Sequence, residues 1–197
     1  PSTGLAAFMK ENPARSVQCG IAEQNAVCVA GGMAASGVNA VFSTFASFAL
    51  GEPYGQIRSC TMNHAPLKIL TTHCGLDVGP DGKTHQCIDY IGLAANLYDL
   101  QLILPADGNQ TDRAVRYLAA STKAGCVAVG RSELPIVKTA AGMPLFGMDY
   151  TFTYGRADWV RAGADATIIS YGTLLHTALE AAAQLEAKDI HCGVLNI

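Results

Sequence analysis

Charged residues are scarce in this chain of 197 residues. Only 15% of them are Asp, Glu, Lys or Arg, and the net charge is −3. The 13 Lys and Arg residues are scattered and form no basic run, which argues against nucleic acid as the main partner. Half of the residues are hydrophobic, so we expect a folded chain with a large core and not a disordered one.

An apolar segment of membrane-spanning length is also missing. Residues 24–51 carry no charge, but they include Asn, Gln, Ser, Thr and several Gly. This composition is typical of buried helix, strand and loop. We therefore expect no membrane partner.

Closely spaced cysteine pairs, which would suggest a metal site, do not occur either. The seven cysteines are Cys19, Cys28, Cys60, Cys74, Cys87, Cys126 and Cys192. Their number is odd and their spacing fits no paired metal motif. We interpret most of them as small buried hydrophobic residues in a reducing, cytoplasmic compartment.

Apolar runs alternate with helical patterns along the chain, which predicts parallel β/α packing. Strands are expected near residues 40–42, 67–71, 100–104 and 126–129, and helices near 21–36, 54–63, 88–96 and 110–121. Because the strand runs contain few polar residues, both faces of the sheet should be covered. The predicted fold class is α/β, with an open, mostly parallel sheet and helices on both faces.

The composition changes after residue 134, where Pro and Gly become frequent. We predict an α/β domain over residues 1–134, a linker with a short strand or two over 135–163, and the start of a second α/β domain over 164–197. This last part has only a strand, a helix and a strand, which cannot bury their faces alone. We therefore expect a truncated second domain and a chain that is part of a longer protein or assembly.

Glu23 lies at the start of a helical pattern made of Ala, Val, Cys, Gly, Met and Ser. In the first helical turn an acid is stabilised by the helix dipole and can be fully solvated. Held partly dry against apolar surface, it could instead carry a proton near neutral pH. Ala22, Ala26, Ala30 and Ala34 recur along the same pattern and predict a tight helix contact, either within the chain or between subunits.

Two aromatic residues, Phe45 and Phe48, follow the strand near residue 42. At a spacing of three they share one face if this turn is helical. They are either core residues or a surface on which a flat heterocycle stacks.

A Gly-rich loop at 73–86 follows the next strand and contains His73, Asp81 and His85. Ligands bind at the carboxyl ends of strands in open α/β sheets. A metal site is one interpretation, but no rigid ligand spacing supports it, and hydrogen bonding to a polyhydroxylated substrate fits these side chains better. Arg131 follows a fourth strand and is either a phosphate or carboxylate clamp or a solvated surface residue.

Taken in order, these segments resemble the transketolase family over essentially the whole chain. The motifs that carry the resemblance are GIAEQN at 20–25, STFASF at 43–48, YGQIR at 54–58, THCGLDVGPDGKTHQ at 72–86, LPAD at 104–107 and GRSELP at 130–135. The first part is similar to the pyrimidine-binding domain of that family, and the last 30 or so residues resemble the opening of its C-terminal domain. The turn Gly51-Glu52-Pro53 departs from the family pattern.

The resemblance implies thiamine diphosphate as the cofactor and a role for each matched residue. Glu23 would bind the ring nitrogen of the cofactor's aminopyrimidine and assist loss of the thiazolium proton, and Phe45 and Phe48 would pack on the pyrimidine. His85 would be catalytic and bind the reacting hydroxyls, and Asp81 would read the hydroxyl configuration of the donor sugar. His73, Arg131 and, more weakly, Ser2 would contact substrate phosphate.

By the same resemblance, a two-carbon ketol unit passes from a ketose phosphate to an aldose phosphate, as in the pentose phosphate pathway. No motif of the diphosphate-binding domain is present, so that domain or subunit would be a partner and would hold Mg²⁺, with no metal ligand on this chain. Self-association, as a heterotetramer or a homodimer, is expected. Two alternatives remain: an enzyme like deoxyxylulose-phosphate synthase, or a non-catalytic subunit that kept the fold. The beta subunit of a 2-oxo-acid dehydrogenase fits the 73–86 loop less well.

Overall fold

The computed structural model of the protein describes residues 3–197. The chain divides into two compact units. The first unit comprises Pro1–Leu102 and Leu118–Arg131, and the second comprises Ile103–Tyr117 and Ser132–Ile197. Among residues 3–197, no helix combines the length and the apolar character needed to span a bilayer.

The secondary structure follows an alternating β/α order through most of the chain. The helices are α1 (Ala6–Glu11), α2 (Glu23–Ala35), α3 (Tyr54–Met62), α4 (Tyr90–Ala95), α5 (Gly108–Ala120) and α6 (Leu174–Glu186). The strands are β1 (Val41–Phe45), β2 (Lys68–Thr72), β3 (Gln101–Ile103), β4 (Gly125–Ala128), β5 (Asp158–Arg161), β6 (Ala166–Ser170) and β7 (Cys192–Asn196). Short 3₁₀ turns cover Pro13–Arg15 and Gly79–Asp81, and a π-helical turn covers Ser47–Gly51.

The first unit is built on a four-stranded sheet in the order β1-β2-β4-β3. Strands β1, β2 and β4 are parallel, with Phe45 opposite Thr72 and Thr71 opposite Ala128. All four residues of β4 are buried, as expected for a strand covered on both faces. The predicted α/β class with a mostly parallel sheet is confirmed.

Helix α2 packs on α3 within the chain through its smallest side chains. Its buried residues are Val27, Ala30, Gly31 and Ala34. A Cβ atom placed on Gly31 would lie 2.3 Å from Cys60 Sγ, so the two helices are too close for any side chain at that position. The predicted small-residue contact is therefore found inside the chain, on a face that includes Ala30 and Ala34 together with Gly31.

Lys68, at the start of β2, is only 3% exposed. Its ammonium group donates hydrogen bonds to the carbonyl oxygens of Ser121 (2.7 Å) and Lys123 (2.5 Å). These carbonyls lie just beyond the end of α5. Burial lowers the Lys68 pKa, and the two carbonyls compensate in part for the water that the ammonium has lost.

The second unit contains a three-stranded sheet in the order β5-β7-β6, antiparallel between β5 and β7 and parallel between β6 and β7. Helix α6 buries Leu175, Ala178 and Ala182 in a core that also contains Phe146 and Val194.

A buried carboxylate organises the loops of the second unit. Asp107 accepts hydrogen bonds from the backbone N–H groups of Gln110 and Val137, both at 2.8 Å. This acid therefore has a structural role, in which one side chain caps the start of α5 and ties down the segment near residue 137.

The cysteines are all free. Cys74, Cys87, Cys126 and Cys192 are buried, Cys19 and Cys60 are half-buried, and Cys28 is exposed. Burial raises the pKa of Cys87 and Cys126 to about 12 each. The thiols of Cys87 and Cys126 are therefore protonated at neutral pH and poor nucleophiles.

Candidate active site

The predicted site residues follow the carboxyl ends of three neighbouring strands of the first unit. Phe45 ends β1, His73 follows β2, and Arg131 lies three residues beyond β4. Because these strands are parallel and adjacent, their carboxyl ends meet at one edge of the sheet, where ligands bind in open α/β folds.

A cavity of about 610 Å³ opens at this edge. Its lining comprises Thr3, Gly4, Phe45, Thr72, His73, Asp81, Gly130 and Arg131. Four of the predicted site residues thus face one space: Phe45, His73, Asp81 and Arg131. The volume lies within the range of small-molecule sites.

Asp81 lies between two basic side chains. Its Oδ2 atom is 3.6 Å from His73 Nε2 and 3.5 Å from Arg131 Nη1. Arg131 Nη1 also donates a hydrogen bond to the carbonyl oxygen of Val78, in the same loop as Asp81. Since a guanidinium has five N–H donors, these contacts orient Arg131 and still leave donors for an anionic ligand.

His73 is a neutral imidazole at neutral pH. Burial lowers its pKa from the ordinary 6.5, and the positive charge of Arg131 lowers it further, while Asp81 acts in the opposite direction. The His73 ring therefore interacts with a ligand as a hydrogen-bonding group and not as a fixed charge.

An aromatic cluster forms the apolar side of the site. The ring centroids of Phe45 and Phe48 are 6.3 Å apart, and His73 packs on Phe45 at 4.0 Å. His85 makes edge-on contacts with Phe45 at 5.7 Å and Phe48 at 5.2 Å. The structure thus brings both histidines to Phe45 and one of them, His85, to Phe48 as well, and the group offers π-faces and edges to a flat ring.

A π-helical turn carries Phe48. It covers Ser47–Gly51 and directly follows β1 and Ala46. Such wide turns are rare in proteins and are frequent at functional sites. The sequence does not reveal this turn, because no residue pattern distinguishes it from an α-helical turn.

Glu23 is the first residue of α2 and is half-buried. Its neighbour Gln24 donates a hydrogen bond from Nε2 to the carbonyl oxygen of Glu52 at 3.2 Å. This bond ties the start of α2 to the residue that follows the π-helical turn. The described residues leave Glu23 partly open to solvent, so a fully dry setting for this acid is not provided by this chain alone.

Two further expectations concern Ser2 and a metal ion. Ser2 lies outside the described residues. Among residues 3–197, no three side chains of the His, Cys, Asp and Glu types come together in a way that could hold a metal ion.

Sequence reasoning missed the hydroxyl groups that contact the two histidines. Thr72 Oγ1 lies 2.9 Å from His73 Nδ1, and Thr84 Oγ1 lies 2.9 Å from His85 Nδ1. The sequence feature that could have indicated these contacts is the Thr-His pair, which occurs twice in residues 72–85. Thr3 and Gly4 of the cavity lining had no signal that connects them to the sheet edge.

Family models match both parts of the chain. The model "Transketolase, pyrimidine binding domain" matches residues 1–137, and "Transketolase, C-terminal domain" matches residues 155–197. The chain belongs to the transketolase family. The resemblance drawn from the ordered motifs is confirmed.

Curated transketolase relatives match the chain over its full length. Transketolase-like protein 2 of Mus musculus is 34% identical over 200 residues, which cover 100% of this chain and 30% of the relative. Transketolase of Homo sapiens is 33% identical over 199 residues, covering 99% of this chain and 30% of the relative. One subunit of the apulose-4-phosphate transketolase of Phocaeicola vulgatus is 32% identical over 197 residues, covering 100% of this chain and 61% of the relative.

Solved transketolase structures have the same fold. A split-gene transketolase, described as an inactive beta4 tetramer, has a TM-score of 0.86 and 35% identity, and the match covers 100% of this chain and 60% of that one. A Pichia stipitis transketolase in complex with sedoheptulose-7-phosphate has a TM-score of 0.76 and 26% identity, covering 90% of this chain and 26% of that one. The chain therefore spans less than two thirds of the transketolase chains that it matches.

Proposed function

We propose that this chain forms the pyrimidine side of a thiamine diphosphate site in a transketolase. Within that site it would take part in transfer of a two-carbon ketol unit from a ketose phosphate to an aldose phosphate. The observation that carries the proposal is the cavity shared by His73, Asp81 and Arg131, with Phe45 in its wall. Basic and hydrogen-bonding groups beside an aromatic surface suit a sugar phosphate held against a flat heterocycle.

The side chains present fit the aminopyrimidine end of the cofactor. Phe45 and Phe48 offer aromatic surface, and Glu23 offers a carboxyl group at the start of α2. Thiamine diphosphate, when bound, supplies the electron sink that lets a bond beside a ketone carbonyl break. The proposed task of Glu23 is to share a proton with the pyrimidine ring nitrogen and to hold the ring in orientation.

The polar residues of the site would recognise the sugar phosphates. Arg131 and His73 are proposed phosphate contacts, since a guanidinium binds phosphate oxygens through paired N–H groups. Asp81 accepts hydrogen bonds from sugar hydroxyls, and its distances to His73 and Arg131 restrict where a hydroxyl can lie. His85, at the edges of both phenylalanines, is the proposed contact for the reacting hydroxyls.

Activity would require a diphosphate-binding partner that also holds Mg²⁺. The matched family models are those of the pyrimidine-binding and C-terminal domains, and a structural neighbour made of beta subunits is described as inactive. The half-buried Glu23 supports the same view, because a partner surface would complete its enclosure. We further propose self-association and, from the free cysteines, a reducing cytoplasmic location.

The decisive experiment uses this protein assembled with the diphosphate-binding subunit or domain. The assembled protein should transfer a ketol unit from xylulose 5-phosphate to an aldose phosphate, and Glu23→Gln should reduce kcat by about 100-fold or more. Glu180→Gln, at an exposed position of α6, is the matched control and should retain the original rate. An unchanged rate in Glu23→Gln would remove that residue from the mechanism, and the absence of any ketol transfer by the assembled protein would overturn the proposed function.

A further inference from the structure

Each histidine of the candidate site has a threonine hydroxyl at the same ring nitrogen. The Thr72 hydroxyl is 2.9 Å from His73 Nδ1, and the Thr84 hydroxyl is 2.9 Å from His85 Nδ1. In both cases the threonine directly precedes the histidine. The same contact between a threonine hydroxyl and Nδ1 occurs at two separate places, one at the end of a strand and one in a loop. This recurrence indicates that the contact has the same role in both.

The contact between Thr72 and His73 depends on an unusual backbone conformation. In an extended strand, consecutive side chains point to opposite faces, so neighbouring residues do not meet. His73 has φ 63°, a left-handed conformation that is uncommon for residues other than glycine. This twist ends the strand geometry and lets the imidazole reach both the Thr72 hydroxyl and the Phe45 ring.

The contact at Nε2, on the other side of the His73 ring, indicates which group donates in the hydrogen bond between Thr72 and His73. His73 Nε2 faces the Asp81 carboxylate at 3.6 Å, and an ionised carboxylate only accepts hydrogen bonds. The proton of the neutral ring therefore belongs on Nε2, which leaves Nδ1 as an acceptor. A hydroxyl can rotate to donate, so Thr72 donates to Nδ1. The lowered pKa of His73, due first to burial and then to Arg131, keeps the ring neutral and makes the choice of tautomer meaningful.

His85 has an equivalent arrangement. Its ring is held edge-on to Phe45 and Phe48, and its backbone N–H donates to the carbonyl oxygen of Gly82 at 3.0 Å. With the Thr84 hydroxyl at Nδ1, Nε2 is the nitrogen that remains for a ligand. The contact of Thr84 is solvent-exposed, whereas that of Thr72 is partly buried.

We propose that Thr72 and Thr84 are positioning residues. Each hydroxyl donates a hydrogen bond to Nδ1 of the following histidine and favours the tautomer that carries its proton on Nε2. The Nε2–H of His85 is then available to substrate oxygens, and that of His73 is directed toward Asp81 and toward any substrate oxygen held beside it. The identity of those oxygens, as phosphate and reacting hydroxyls, rests on the proposed function, but the tautomers do not.

The tautomers can be read directly by ¹⁵N NMR of the native assembly with selectively labelled histidine, without turnover. At neutral pH we expect an acceptor-type signal at Nδ1 and a protonated signal at Nε2 for both residues. Thr72→Val and Thr84→Val keep the side-chain shape without the hydroxyl, so each should raise the fraction of its own histidine that is protonated on Nδ1, and the rise should be smaller for His73, whose Nε2 also faces Asp81. Thr72→Ser and Thr84→Ser should restore the original signals, and Thr151→Val, at an exposed position, should change nothing. A proton on Nδ1 in the original protein would overturn the proposal.

Kinetics provide a separate reading in the assembled enzyme. Thr72→Val should raise KM for the sugar phosphate about three- to tenfold, the range that corresponds to loss of one ordinary hydrogen bond, with kcat changed less. Thr84→Val should lower kcat by a similar factor, because His85 is proposed to contact the reacting hydroxyls. Serine variants that are as impaired as the valine variants would show that the methyl group, and not the hydroxyl, matters. If the tautomers are as expected but no ketol transfer occurs, the proposed function fails and the positioning role stands.

Discussion

The imidazole of His73 lies against the ring of Phe45, with 4.0 Å between ring centroids and 35° between the ring planes. The contact arises because β1 and β2 are paired in parallel, with Phe45 opposite Thr72, so the residue after β2 comes to the end of β1. One face of Phe45 is thus occupied by a side chain of the site. A ligand that stacks on Phe45 must therefore use a part of the ring that His73 does not cover.

The first prediction concerns the titration of His73. Its NMR titration midpoint should lie below the ordinary 6.5, because burial and then Arg131 disfavour the imidazolium form. Asp81→Asn removes the opposing negative charge and should lower the midpoint further, whereas Arg131→Ala should raise it. Opposite responses of the two variants are required; a common direction would contradict this electrostatic account.

The same lowered pKa has a consequence for stability. Below pH 6.5 the unfolded chain binds a proton at this position that the folded chain still resists, so the free energy of unfolding falls as pH decreases through this window. The loss of unfolding free energy due to His73 begins near pH 6.5, the pKa in the unfolded chain. It is complete once the pH has fallen below the lower pKa of the folded chain. His73→Asn should therefore show a flatter loss of stability between neutral and mildly acidic pH in chemical denaturation.

The second prediction tests the close packing of α2 on α3. Gly31→Ala should lower the free energy of unfolding by about 1–3 kcal/mol, the usual cost of overpacking, because the new methyl group would lie 2.3 Å from Cys60 Sγ. Gly32→Ala is the matched control on the same helix, since nothing lies within 4 Å of its Cβ position. That variant should instead be stabilised by about 0.5–1 kcal/mol.

Urea denaturation of both variants provides the measurement. The double variant Gly31→Ala, Cys60→Ala removes the sulfur atom and should recover part of the lost stability. Equal stability of Gly31→Ala and Gly32→Ala would contradict the helix contact as described.

The third prediction concerns the buried ammonium group of Lys68. Lys68→Met should lower the free energy of unfolding by about 1–3 kcal/mol, because the Ser121 and Lys123 carbonyls lose a charged hydrogen-bond donor. Lys188→Met, at an exposed position near the end of α6, is the control and should stay within about 0.5 kcal/mol of the original protein. If thermal unfolding shows equal effects for the two variants, the two hydrogen bonds contribute no net stability.

The regular elements of the fold could be predicted because their signal is local. Four apolar runs correspond to β1, β2, β3 and β4, and the helix expected between the two strands of residues 164–197 corresponds to α6 (Leu174–Glu186). The short helix α1 was missed. Residues 135–163, where a short strand or two was expected, contain β5 and an isolated bridge between Lys138 and Pro144.

The candidate site was predictable at the level of strand ends but not of contacts. Residues that follow neighbouring parallel strands must come together, and His73, Asp81 and Arg131 do. The left-handed backbone of His73 has no sequence signal, because histidine at that conformation is stabilised by its surroundings. The surroundings of Glu23 were not predictable for a similar reason, since enclosure depends on surfaces distant in sequence.

The loop that carries Asp81 and His85 is closed at its base. Cys74 and Cys87 form a backbone bridge, in which the Gly75 N–H donates to the Cys87 carbonyl oxygen at 2.8 Å, and the Cys74 N–H is bonded to the Val129 carbonyl oxygen beside β4. Because these backbone bonds hold both ends of the segment together, added length between them costs little entropy. Substitutions within residues 76–84 should therefore change the lining of the candidate site more than they change the strands beneath it.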